Sequence, residues 1–192
     1  MSPSLDATHD GKDTQHRILE AALEVILDHG VRGATYRKIA QQAGLSPGTL
    51  TYRYSSIELL LNNAFVYMVD GISHAFRVRL KQAKDIESAR EAVVDLICGD
   101  IWATPRHLTL SFELYALASR KEEYRLILQE WMTRSRKSLH LHFSIATACS
   151  LDAVIEGYTI HNYLNNEAVS REDIHTGCLY GTVDFRCRRW AG

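Results

Sequence analysis

Apolar residues recur at helical spacing along almost the whole chain, and nowhere do they alternate with polar ones in the two-residue rhythm of a strand. Leu19, Ala22, Leu23, Ile26 and Leu27 fall on one face of a first helix, and Gly30 supplies its stop. Thr35 is placed to cap a second, short helix with the apolar face Ile39, Ala40 and Ala43, and Gly44 follows where a left-handed residue would end it. Ser46 and Pro47 read as an N-cap and first helical residue, because proline there loses no hydrogen bond and its fixed φ suits a helix. Ser55 and Glu58 have the spacing of a capping box, opening a long fourth helix through about Leu80. That helix is apolar nearly all round, with Leu60, Ala64, Tyr67 and Gly71 on one side and Leu61, Phe65, Met68 and Phe76 on another, which predicts packing against two layers.

Further helices are predicted over 86–103, from Pro105 (capped by Thr104) to Ser119, and over 121–142 with Tyr124, Ile127, Trp131 and Ser135 facing inward. Ser144 caps the next, to about Leu164. Ser170 and Asp173 open the last, whose C-terminal end carries Arg186, Arg188 and Arg189 where cations complement the dipole. The pattern is that of an all-α protein of about nine helices without repeats, preceded by a polar stretch, residues 1–13, expected to be a disordered arm.

Composition narrows the class. At 192 residues, 46% hydrophobic and 23% charged, the chain has the balance of a soluble globular protein and room for one or two domains. With 22 Lys+Arg against 23 Asp+Glu, any affinity for nucleic acid must come from how charge is placed and not from its total. Cys98, Cys149, Cys178 and Cys187 are far apart with no C-x-x-C pair, the first residues lack the apolar run of a signal peptide, and charges such as Asp95 and Asp100 break the apolar stretches before they reach membrane-spanning length. A cytoplasmic protein with no membrane partner is expected.

Charge placement singles out one segment. No acidic residue lies between Asp28 and Glu58, whereas Arg32, Arg37, Lys38 and Arg53 all do. Inside it, two short helices flank Gly44-Leu45-Ser46, the composition of a helix-turn-helix in which the second helix enters the major groove. Thr35-x-x-x-Ile39-Ala40 followed by GLSPGTLTYRYSSIELL from Gly44 resembles the amino-terminal DNA-binding domain of TetR-family transcriptional regulators. The resemblance implies a DNA-binding domain at 14–61 and a ligand-binding and dimerising domain at 62–192, the latter similar in layout at ELYALASRKEEYR (113–125) and LDAVIEGYTIHNYL (151–164).

Roles follow for single residues. Pro47, Gly48 and Thr49 stand at the start of the recognition helix, where small side chains permit close approach to a phosphate; Ser46 caps it; Thr51, Tyr52 and Arg53 carry hydroxyls and a guanidinium suited to phosphates or base edges. Thr35, Arg37 and Lys38 at the head of the second helix are candidate phosphate contacts, and Ile39, Leu45 and Leu50 read as core. The bland alternative is a solvated surface, or for Tyr52 and Leu50 a core position. One departure from the family pattern matters: Ile57 stands where members often place a phosphate-binding lysine, and Thr51 where they often place tyrosine.

Other motifs compete less well. Gly44-Leu45-Ser46-Pro47-Gly48 also satisfies G-x-S-x-G, the nucleophile elbow of serine hydrolases. That elbow needs a strand before the serine, and an oxyanion hole needs the following N–H, which Pro47 lacks, so no catalytic residue and no enzyme activity are expected. His140 and His142 point to different sides of a helix and read as surface histidines; no metal and no cofactor are expected.

Tyr67, Met68, Trp102, Phe112, Tyr115 and Trp131, with His107 and Glu113 as polar anchors, are candidates for an effector pocket, hydrophobic core being the alternative. Val154, Ile155, Tyr158, Ile174 and Tyr180, with Gly177 and Gly181 one turn apart, are candidates for a twofold four-helix interface, the alternative being that they close the monomer's own core. The expectation is a homodimeric repressor on a palindromic operator of double-stranded DNA, released by a small-molecule effector of unknown identity. The rival is a DNA-binding protein without an effector, controlled by a protein partner.

Overall fold

The computed structural model describes residues 5–99 and 101–180. Among them the regular structure is entirely helical, with nine helices: α1 (Leu5–Gly33), α2 (Tyr36–Ala43), α3 (Pro47–Arg53), α4 (Ile57–Lys81), α5 (Ile86–Cys98), α6 (Pro105–Ala118), α7 (Glu122–Leu139), α8 (Ile145–Leu164) and α9 (Arg171–Tyr180). Arg186, Arg188, Arg189 and Gly181 lie outside the described residues, as do the side chains of Tyr180 and Cys178 and all of Cys187.

Most predicted starts coincide with observed caps, because an N-cap is a local signal: Thr35, Ser46 and Ser144 each accept a backbone N–H from the third residue onward. Thr104 does the same for His107, and Ser170 for Asp173. Four boundaries differ. The helix α1 begins at Leu5, inside the stretch expected to be a disordered arm; once the following turns are formed, each further residue adds a hydrogen bond without a new nucleus. Ser56, not Ser55, caps α4, its Oγ accepting the Leu59 N–H at 3.1 Å, because Tyr54 is buried in extended backbone and holds the chain out of helix one residue longer. The fifth helix stops at Cys98 before Gly99, five residues short of the predicted end, and opens with a capping box between Asp85 and Ser88. The seventh stops at Leu139, and the turn after it uses His142, whose Nε2–H donates to the Leu80 carbonyl at 2.8 Å. His142 is therefore a half-buried staple on the end of α4 and not a surface histidine.

Two compact units emerge from the packing: the residues up to Asp70 with Thr109–Leu128, and Gly71–Leu108 with the residues from Gln129 onward. In the first, Ile18, Ala22, Leu23 and Ile26 of α1 are buried together with Ile39, Leu50, Leu60 and Phe65, and Phe65 meets Tyr124 edge to face at 5.9 Å. In the second, α5 packs on α8 and α9, burying Val93, Val94, Ile97, Leu151, Ile155 and Ile174. Its surface is laced by Arg79 on Asp95 and by Arg171 on both Glu91 and Asp95. Burial opposes ionisation of Asp95, but the two guanidinium groups outweigh it and hold the carboxyl below its ordinary value. The fourth helix is not apolar all round: Leu60, Leu61, Ala64, Phe65, Met68, Val69, Ile72 and Phe76 are buried, while Gly71 and Asp70 are exposed. The buried set is one broad stripe, and Gly71 lies off it. No helix among the described residues is long and apolar enough to cross a membrane.

Candidate nucleic-acid interface

The segment from Thr35 to Tyr54 is built by caps at every end. Thr35 Oγ1 accepts the Lys38 N–H at 3.3 Å and starts α2. Gly44 ends it in the left-handed region at φ 62°, where a side chain would be strained, and the Leu45 N–H returns to the Ala40 carbonyl at 2.9 Å. The Arg17 guanidinium of α1 takes a further carbonyl of that end, Ala43, at 2.8 Å. Two residues later Ser46 starts α3 with Pro47 at the first helical position. The turn thus occupies Gly44 to Ser46 and leaves no room for the strand that a hydrolase elbow requires; Ser46 Oγ is engaged with the Thr49 N–H and hydroxyl.

A phenol ties the two helices together. The Tyr36 hydroxyl at the head of α2 donates to the carbonyl of Tyr54, just past α3, at 3.0 Å. Burial, and then the nearby Glu58 charge, push the Tyr36 phenol above its usual pKa. The Tyr54 ring is buried, and burial raises its pKa against the opposing charge of Arg53. Sequence reasoning passed over Tyr36, Tyr54 and Arg17, since their roles depend on partners 18 and 26 residues away. Tyr54 alone left a signal, as the apolar position one turn beyond Leu50.

The segment divides cleanly between an inside and an outside. Ile39, Ala40, Ala43, Leu50 and Tyr54 are buried, and Leu45 is half-buried. Thr35, Arg37, Ser46, Pro47, Gly48, Thr51, Tyr52 and Arg53 are exposed, with Lys38 and Thr49 half-exposed. Tyr52 is 92% exposed, which removes the core alternative for it. The Thr51 hydroxyl turns back to the Gly48 carbonyl at 3.2 Å, so its proton is committed within α3. Ile57, the first residue of α4, is half-buried.

The remaining candidates are divided between the two units. Tyr67, Met68, Phe112, Glu113 and Tyr115 belong to the first unit; Trp102, His107 and Trp131 belong to the second. Met68 is core, and Tyr67 lies against His16 with ring centroids 5.5 Å apart. Glu113 acts as a strut: α1 breaks at Gly30 (φ 64°, ψ 170°), and the Glu113 carboxylate accepts the N–H of Val31, the residue after the break, at 3.3 Å. Of the interface candidates, Ile155 and Ile174 are already buried within the single chain. A Cβ on Gly177 would come within 2.5 Å of the Tyr158 hydroxyl, so the close approach that this glycine permits is used by α8 of the same chain.

The family model for bacterial regulatory proteins of the tetR family matches residues 18–64. The HTH-type transcriptional regulator PksA of Bacillus subtilis (strain 168) is 27% identical over 181 residues, covering 91% of this chain and 77% of PksA. The candidate transcriptional regulator SCO7518 of Streptomyces coelicolor A3(2) is 39% identical, with a TM-score of 0.80 over 89% of this chain and 99% of its own. The multidrug binding protein EbrR, solved in complex with imidazole, shares the fold at 22% identity and a TM-score of 0.69, over 91% of this chain and 97% of its own. The chain belongs to the TetR family of bacterial regulatory proteins and is a transcriptional regulator with a helix-turn-helix DNA-binding domain.

Proposed function

We propose that this regulator is a cytoplasmic homodimeric repressor that binds a palindromic operator through residues 35–53 and leaves it when a small molecule binds, without catalysis or a cofactor. The observation that carries the DNA-binding face is the division of the helix-turn-helix into a buried apolar side and an exposed side without a carboxylate, from which Tyr52, Arg37 and Arg53 project. In this reading Arg37 and Arg53, with Thr35, Lys38, Pro47, Gly48 and Thr49, meet phosphates and fix register, and Tyr52 reads base edges, with the Thr51 oxygen left as an acceptor beside it. The DNA-binding domain is taken as 14–61 and the regulatory domain as 62–192.

Pairing is supported by need and by surface. One short recognition helix reads few base pairs, and two spaced by a turn of DNA give usable specificity. On α8, Ile145 and Leu164 are 69% and 64% exposed, Cys149 is exposed and Val154 half-buried, so the helix keeps apolar surface that a second copy could cover. Effector control is supported by likeness: EbrR has been solved with imidazole, proflavin and ethidium. The pocket candidates form two sets, Trp102, His107 and Trp131 in one unit and Tyr67, Met68, Phe112, Glu113 and Tyr115 in the other; release then follows from tighter ligand binding to the conformation that grips DNA less well.

Fluorescence anisotropy tests the reading: the full-length protein is titrated onto DNA flanking its own coding region and onto scrambled DNA of equal length, at several salt concentrations. Tight, selective binding that weakens and loses selectivity in Tyr52→Ala is expected. Equal binding to both DNAs, unaffected by that substitution, would overturn the assignment.

A further inference from the structure

Trp102 lies in the turn between α5 and α6 and is 8% exposed. Its indole Nε1–H is buried and has no hydrogen-bond partner. The ring stands edge to face with the half-buried Trp131, centroids 5.9 Å apart and planes at 82°. The carbonyl of Trp102 accepts the Thr104 N–H at 2.7 Å, and Thr104 in turn caps α6, so the turn that presents the indole is anchored.

Chemistry makes this donor more telling than the buried, unpartnered hydroxyl of Ser73 in the same unit. A serine hydroxyl on a helix rotates and can reach a carbonyl of its own preceding turn. An indole has one donor, no acceptor and a direction fixed by the ring, so it must be met by an acceptor brought to it. Buried polar groups in native proteins nearly always have such a partner.

We propose that the Trp102 indole N–H is the hydrogen-bond donor of the effector site, reached when the packing around it opens, and that the effector carries an acceptor oxygen, of the carbonyl or carboxylate kind, on an apolar body that packs beside the two tryptophans. The inference rests on the effector reading given above and adds to it the atom that selects the ligand. It excludes saturated hydrocarbons and ligands whose only polar groups are donors.

The test uses two probes of nearly the same shape, acetophenone and α-methylstyrene, which differ in having or lacking the acceptor oxygen. Binding to the full-length protein is followed by the indole N–H resonances, with Trp102→Phe identifying the signal of Trp102. Acetophenone should bind about three- to tenfold more tightly than α-methylstyrene, as one hydrogen bond allows, and move the Trp102 resonance downfield. In Trp102→Phe the preference should vanish. Equal affinities, an unmoved resonance, or no binding of either probe up to its solubility would overturn the proposal, and so would a cross-peak from the indole proton to a long-lived water in the free protein. The affinity comparison is read on the wild type, and should Trp102→Phe fail to fold, Trp131→Phe and Trp190→Phe assign the Trp102 signal by elimination among the three indoles, so the test stays decisive.

The two readings fail separately. A compound that frees the operator without moving the Trp102 resonance refutes the donor and leaves release intact. Probe binding at Trp102, in a protein that no compound frees from its operator, refutes release and leaves the site.

Discussion

Replacing Tyr36 with phenylalanine deletes a single oxygen and with it the hydrogen bond to the Tyr54 carbonyl. The loss should destabilise the protein by about 1 kcal/mol in denaturant titrations, with affinity for DNA reduced because α2 and α3 are less firmly held together. An unchanged midpoint would show that water replaces the phenol without penalty. Ile57 offers the opposite experiment, an addition. If it stands at a phosphate, Ile57→Lys should tighten binding on specific and scrambled DNA alike, and steepen the slope of log affinity against log salt by about one unit for each added contact. A tighter complex with the same slope would place Ile57 away from the phosphates. The exposed side of this site was legible in the sequence because composition decides it: a run without carboxylates, glycines and small residues around a turn, and basic residues at the helix ends. Tyr36 and Arg17 were not legible. Their partners are backbone carbonyls, and a carbonyl leaves no mark on the identity of the residue that owns it.

At the scale of elements the same distinction holds. Caps at Thr35, Ser46, Thr104, Ser144 and Ser170 could be read directly, since each rests on an interaction three residues long. The choice between Ser55 and Ser56 could not, because burial of Tyr54 decides it. Nor could the apparent second face of α4, since apolar spacing does not reveal which side a neighbour covers. Asp85, at the head of α5, provides a test with a pH axis. Its carboxylate accepts the Ser88 N–H at 2.8 Å and its hydroxyl at 2.6 Å, and these bonds lower its pKa below the usual 3.8. A depressed folded-state pKa means the carboxylate contributes stability above the unfolded value and loses that contribution as pH falls through the folded one. Wild type should therefore melt higher than Asp85→Asn at neutral pH, and the difference should close in acid. A difference that persists at low pH would assign it to shape and not to charge.

For the molecule as a whole, a net charge of −1 makes attraction to DNA a matter of arrangement, so binding should collapse steeply with salt although the protein is nearly neutral. Neutralising Arg37 and Arg53 together should flatten that dependence by about two units for each recognition helix engaged, measured by anisotropy across salt; an unaltered slope would remove both from the phosphate set. The bond between Glu113 and Val31 has a consequence in time. It joins residues 82 apart, and during synthesis at about 5–20 residues per second the end of α1 is made about 4–16 s before the carboxylate that will hold it. The helix-turn-helix has its own apolar side in Ile39, Ala40, Ala43 and Leu50, so it can begin to collapse in that interval around the preceding turns of α1. The break at Gly30 is then the last part of the DNA-binding segment to be secured, and a nascent chain halted before α6 carries α2 and α3 on a joint that is not yet locked.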